Sequence, residues 1–116
     1  MSFVELEKVK ANSGGDQLLL LELINMGIER IDTSLTDMKV SVQTRDWDSL
    51  SRSIHKLRPI LCYAGIDAFN DELIELENNT RQQTGLEEVP VRIGKILENL
   101  CLARCELEHL LSELRK

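Results

Sequence analysis

His55 lies in the stretch Ser51-Arg52-Ser53-Ile54-His55-Lys56-Leu57-Arg58-Pro59-Ile60-Leu61, where the chain has its best means of doing chemistry. Imidazole titrates near neutral pH, so an unprotonated ring nitrogen is available as a nucleophile. The stretch reads as a helix with the apolar stripe Leu50, Ile54, Leu57, Leu61 and Ala64, stepping by three and four residues. At about 100° per residue, His55 falls well off the centre of that stripe. It points toward solvent or the rim, among Ser51, Arg52, Arg58 and Pro59. An imidazole held on a rigid helix and flanked by cations is placed to carry a negatively charged group. A histidine used as core filler would sit on the stripe itself.

Other reactive residue types are less well placed. Cys101, Cys105 and His109 follow one helical flank, but a closed metal site needs a fourth ligand and none is evident. Cys101 and Cys105 are expected to be buried or half-buried packing residues, while Cys62, two turns beyond His55, fits the lower edge of that surface and packing equally well. Glu106-x-x-His109 matches half of a di-iron ligand set, and such a set needs a second pair and two further glutamates. Ser13-Gly14-Gly15-Asp16 lacks the lysine and the preceding strand of a phosphate-binding loop. No ATP site, no autokinase activity, no metal and no cofactor are therefore expected. No acidic cluster beside His55 is shaped for magnesium.

The elements that must position His55 can be read from the hydrophobic period. Residues 3–11 make a short amphipathic helix, and Ser13-Gly14-Gly15-Asp16 breaks it, with Gly14 as a left-handed cap and Asp16 as the next N-cap. From about residue 16 to 45, Leu21, Ile24, Ile28, Ile31, Leu35, Met38 and Val42 trace a long stripe. Asp46 caps the helix that carries His55, with Trp47 anchoring its start, and that helix runs to about Ala64. Gly65 permits a turn and Asp67 caps the next helix, where Ile66, Phe69, Leu73, Leu76 and Thr80 form a fourth stripe ending at Thr84-Gly85. Pro90 suits a first helical position. The stripe Ile93, Ile96, Leu100, Ala103, Leu107, Leu110 and Leu114 then completes the last helix. No segment alternates as a strand does. The expected fold is all-α: an antiparallel four-helix bundle with a short additional N-terminal helix laid across one end.

Composition bounds the rest. With 116 residues the chain is expected to form a single domain, 1–116, with a core of its own. A net charge of −6 argues against a nucleic-acid partner. No apolar run reaches the length of a membrane span. Met1-Ser2-Phe3-Val4-Glu5 reads as no export leader. An odd count of 3 cysteines does not suggest a disulfide framework. A reducing, cytoplasmic setting is the expectation.

Taken together, His55-Lys56-Leu57-Arg58, Gly65 ten residues after the histidine, and Leu76-Glu77 on the next helix resemble the histidine-containing phosphotransfer (HPt) domain of multistep two-component signalling. The resemblance covers nearly the whole chain, including the Ser-Gly-Gly-Asp break. It implies a monomeric phosphocarrier with His55 as phosphoacceptor. The phosphoryl group would come from an aspartate on a receiver domain and pass to another receiver, with a hybrid sensor kinase among the partners. Metal and transfer machinery would come from the receiver. Lys56 and Arg58, with Arg52 one turn earlier, are expected to contact the phosphoryl group or the receiver. Arg58 is the better suited of these to bidentate phosphate contact. One departure is Pro59, which stands where the family usually has glycine. It cannot donate to the His55 carbonyl and its ring crowds that carbonyl, so a local kink and an open carbonyl are expected.

Two other readings stay open. His55-Lys56-Leu57-Arg58-Pro59 also looks like the histidine box of a sensor-kinase dimerisation domain, although Lys56 stands where that box usually has an acid. The face around His55 would otherwise serve a helical interaction module without chemistry. A mass measurement in solution separates the carrier from the kinase hairpin. A self-contained bundle is expected to run as a monomer, whereas a stable dimer favours the hairpin.

Overall fold

In the computed structural model, which describes residues 2–116, five α-helices account for the fold, and no strand forms among the described residues. They are α1 (Leu6–Asn12), α2 (Gln17–Gln43), α3 (Trp47–Tyr63), α4 (Asn70–Gln82) and α5 (Val89–Leu114), the last preceded by a 3-10 turn at Leu86–Glu88. Helix α2 packs along both α3 and α5, and α3 packs along α4. The bundle measures 45 × 23 × 21 Å.

Local chemistry sets the helix starts. The Asp16 carboxylate accepts from the amides of Leu18 (2.9 Å) and Leu19 (3.2 Å). Asp46 accepts from Ser49 N at 3.1 Å, so α3 begins where the sequence predicts. Each bond satisfies an amide that the first helical turn leaves without a partner. Asp67 behaves differently. Helix α4 starts only at Asn70, and the Asp67 side chain is spent on an ion pair with Lys8 of α1. That pair holds the Lys8 ammonium above its usual range, chiefly through the hydrogen bond to Asp67 and then that to Glu5.

The core contains Leu50, Ile54, Leu57 and Leu61 from α3, Leu73 and Leu76 from α4, and Ile93, Ile96, Leu100, Ala103 and Leu107 from α5. The α3 stripe matches expectation, and so does that of α5 as far as Leu107, with Leu110 and Leu114 half-buried. The α2 stripe is rotated from it: Leu20, Leu23, Ile24, Gly27, Ile31, Ser34, Met38 and Ser41 are buried, while Leu21, Ile28, Leu35 and Val42 are half-buried flanks. The physical reason is close approach. A Cβ on Gly27 would lie 2.8 Å from Ala64 Cβ and 3.0 Å from Leu107 Cδ1. Ser41 and Ser49 exchange a hydroxyl bond of 3.2 Å across α2 and α3. Small residues are interspersed with large ones on the packed face where the neighbours come close, and Leu21, Ile28, Leu35 and Val42 are left at its edges. The expected burial of Cys101 and Cys105 is also corrected, because both are exposed, as is Cys62. In α5 the buried positions are Leu100, Ala103 and Leu107, and Cys101 and Cys105 fall beside that stripe.

The N-terminal segment closes one end. Phe3 stacks on Phe69 with centroids 5.1 Å apart, and Val9 is fully buried. Glu106 of α5 accepts from Ser2 Oγ (2.7 Å), Phe3 N (2.9 Å) and Val4 N (2.9 Å). Burial works against the charge on Glu106, but those donors win and hold its carboxyl below the ordinary range. The residue is thus engaged by the chain's own backbone and not arranged as half of a di-iron set. Gly65 makes the closure possible. Its φ is +77°, and an added Cβ would lie 2.6 Å from the Glu5 carbonyl oxygen and 2.6 Å from Val9 Cγ2. Gly65→Ala therefore combines left-handed strain with a backbone clash, and is expected to cost about 2–4 kcal/mol. Equilibrium urea unfolding, with exchange of the residue 5–12 amides as the local readout, checks this.

Candidate functional site

His55 stands on the outer face of α3, with its side chain 73% exposed. Its neighbours Ile54 and Leu57 are fully buried, so the helix cannot rotate the ring inward without expelling core residues. The exposed placement inferred from the stripe is what the packing enforces.

The residue that organises this surface is Glu77 of α4. Its side chain is only 4% exposed, yet it carries a carboxylate. A buried carboxylate is tolerated when charge and hydrogen bonds compensate it. Arg58 Nη1 donates to Glu77 Oε1 at 2.9 Å. His55 Nδ1 lies 3.2 Å from Glu77 Oε2. Arg81, one turn along α4, donates from Nη2 to that same Oε2. Burial raises the tendency of Glu77 to hold a proton, but Arg58 and then His55 outweigh it, and the carboxyl sits below its ordinary range.

An ionised carboxylate only accepts hydrogen bonds. The neutral His55 ring must therefore carry its proton on Nδ1 to satisfy Glu77, which puts the lone pair on Nε2. Buried Glu77 fixes both the ring's orientation and the nitrogen that can react, in the way a partner on one ring nitrogen sets the role of the other.

The expected contact residues have different settings. Arg58 is 28% exposed and held between Glu77 and Asn70 Oδ1, the latter at 3.4 Å. Arg52 pairs with Asp48 at the solvent edge. Lys56 is exposed and makes no ion pair among the described residues. Arg52, Lys56, His55, Glu77 and Arg81 line one shallow depression, which Pro59 does not join. Pro59 is exposed within a helix that continues to Tyr63. Having no N–H, it leaves the His55 carbonyl without its helical donor. Among the described residues, no group of three or more histidine, cysteine, aspartate or glutamate side chains converges as metal ligands do.

Sequence reasoning did not assign Glu77 or Arg81 to the site. The available signal was the Glu77-x-x-x-Arg81 spacing, which pairs side chains on one helix face. Only the packing of α4 on α3 says that this face meets His55.

Neither a protein-family model nor a curated protein sequence matches the chain. Its structure, however, is similar to the crystal structure of the HPt domain of a sensor hybrid histidine kinase from Shewanella. The TM-score is 0.85 at 20% sequence identity, and the match covers 96% of this chain and 95% of that one. The chain therefore has the fold of an HPt domain, as the sequence resemblance implied. Four of its own helices complete the bundle, with no second copy needed to supply any of them.

Glu77 gives the fold an acid-sensitive joint. Its pKa is depressed on folding, so its contribution is complete above the unfolded carboxylate range and is lost as pH falls through the folded value. Glu106 acts in the same direction. Urea midpoints are expected to fall as the pH drops below about 4.5. Glu77→Gln, by leaving two arginines without a counter-charge, should cost about 1–3 kcal/mol at neutral pH. It should also flatten the acid limb of the midpoint–pH curve.

Proposed function

We propose that this protein is a phosphocarrier in a two-component phosphorelay, with His55 as the phosphoacceptor. The observation that carries the reading is the exposed imidazole whose Nδ1 is bound to a buried carboxylate, which leaves Nε2 as the open nucleophile. The HPt fold supports it.

In the proposed step, the Nε2 lone pair attacks the phosphorus of a receiver's aspartyl phosphate. The new N–P bond forms as the P–O bond to aspartate breaks, and that electron pair leaves with the aspartate carboxylate. The Nδ1 proton stays in its bond to Glu77, whose negative charge offsets the positive charge developing on the ring. The transferred group brings close to two negative charges, and Lys56, Arg58 and Arg52 supply nearby cations. The reverse attack by a second receiver's aspartate empties the site. Pro59, beside the reacting residue, belongs to the surface that meets the receiver. Magnesium is the receiver's contribution. A nucleotide is not required, because the donor is already a phosphorylated protein. In this reading the whole chain acts as one monomeric, cytoplasmic carrier module without autokinase activity, serving receivers and a hybrid sensor kinase.

The kinase-hairpin alternative draws no support from a bundle that one chain completes. Interaction without chemistry would leave the Glu77–His55 bond with no purpose beyond packing.

The test is transfer from a receiver charged with acetyl phosphate. Wild-type protein is expected to acquire acid-labile, base-stable phosphate, and His55→Gln to acquire none. Failure to label wild type with any receiver of its host sinks the proposal, and label persisting on His55→Gln moves the site elsewhere.

A further inference from the structure

Free cysteine is among the residue types most often buried. Cys101 and Cys105 break that habit together: both are exposed on α5, and neither is in a disulfide. They stand four residues apart on one helix, beside the buried positions Leu100, Ala103 and Leu107. The core is filled without them. Neither lines the depression around His55, so their chemistry stands apart from the carrier reading.

The surroundings suit a cation. Arg104, the basic residue between the two thiols in sequence, is held by Asp32 and by Glu108 at 2.7 Å, so its charge is already matched. Glu98, one turn before Cys101, is exposed. Cys105 also borders a groove with Val4, Leu6 and Leu110 in its walls, which gives that side chain apolar neighbours. We propose that Cys101 and Cys105 form a two-thiolate clamp for a soft monovalent cation, of which copper(I) is the representative.

Distance decides the class of ligand. Side chains four residues apart on a helix have Cβ atoms about 5–6 Å from one another. A disulfide needs about 3.5–4.5 Å between its Cβ atoms, so this pair cannot close on itself without unwinding a turn of α5. A metal lengthens the bridge. Two metal–sulfur bonds of about 2.3 Å, set in line, hold the sulfur atoms about 4.6 Å apart. Rotation about one side-chain bond at each cysteine reaches that separation from staggered rotamers. Zinc is a poor match, because it takes four ligands. Among the described residues no third histidine, cysteine, aspartate or glutamate converges with the pair, and His109, one turn further on, stays outside the clamp. Copper(I) prefers soft thiolates, and two of them in line satisfy it. Each thiol releases its proton to water as its sulfur–copper bond forms. The copper stays monovalent, so no oxidant or reductant takes part.

Anaerobic titration of the reduced full-length protein with copper(I), buffered by bicinchoninate, tests the clamp. Native mass spectrometry is expected to show one copper per monomeric chain, and X-ray absorption a sulfur-only shell. Cys101→Ser and Cys105→Ser should each weaken binding by at least roughly a hundredfold, the upper end for a group that merely supports a metal ligand. Both side chains are exposed, so neither change should move the urea midpoint, and a folded variant that fails to bind is informative. Cys62→Ser and His109→Gln should leave the affinity unchanged, and zinc(II) should not displace the copper. Binding that survives either Cys101→Ser or Cys105→Ser overturns the proposal, as does wild-type binding no tighter than that of the double variant. Loss of binding in Cys62→Ser or His109→Gln, or a copper-bridged dimer, overturns it as well, because the ligands would then come from beyond the one helix.

Discussion

The surface of this protein depends on the neutralisation of one buried carboxylate. Glu77 sits at 4% exposure on α4, next in sequence to the fully buried Leu76. Alone there it would favour its protonated form or drive the helices apart. Arg58 reaches it from α3, Arg81 from its own helix, and His55 from the outer face of α3. The α3–α4 pairing, the orientation of the imidazole and the gathering of cations at one place are all consequences of satisfying that charge. A buried ion pair is weak evidence of added stability, and the effect visible here is on geometry.

The bundle below the site does the complementary work of removing freedom. Ile54 and Leu57 lock the rotation of α3, while Gly27, Ser34 and Ser41 let α2 lie close enough to brace it. A flexible loop could present a histidine, but it would lose entropy whenever the ring had to hold one orientation. Here that ordering is completed on folding.

Much of this was legible in the chain. The three- and four-residue steps in α3 and α5 set their core faces, and from these His55 could be placed outside. Asp16 and Asp46 announced two helix starts by side-chain chemistry that acts within three residues. Features set by distant contacts were not legible. Asp67 has the type of an N-cap, but Lys8 claims it across the fold. The α2 stripe was read from its large residues, although the packed face includes glycine and serines. That choice is set by how near α3 and α5 come, which no local pattern encodes. Glu77 was visible only as half of a resembling motif, and Arg81 looked like an ordinary i+4 partner on a solvated helix.

The N-terminal strap has a mechanical meaning as well. Ser2, Phe3 and Val4 are fastened to Glu106, in the C-terminal half of the last helix, and Glu5 is fastened to Gly65 at the α3–α4 turn. A pull applied at Ser2 is borne first by those bonds, before α1 is loaded. Force entering there passes to α5 and to the corner of the bundle, so tension at the start of the strap would be felt by the helix pair that carries His55.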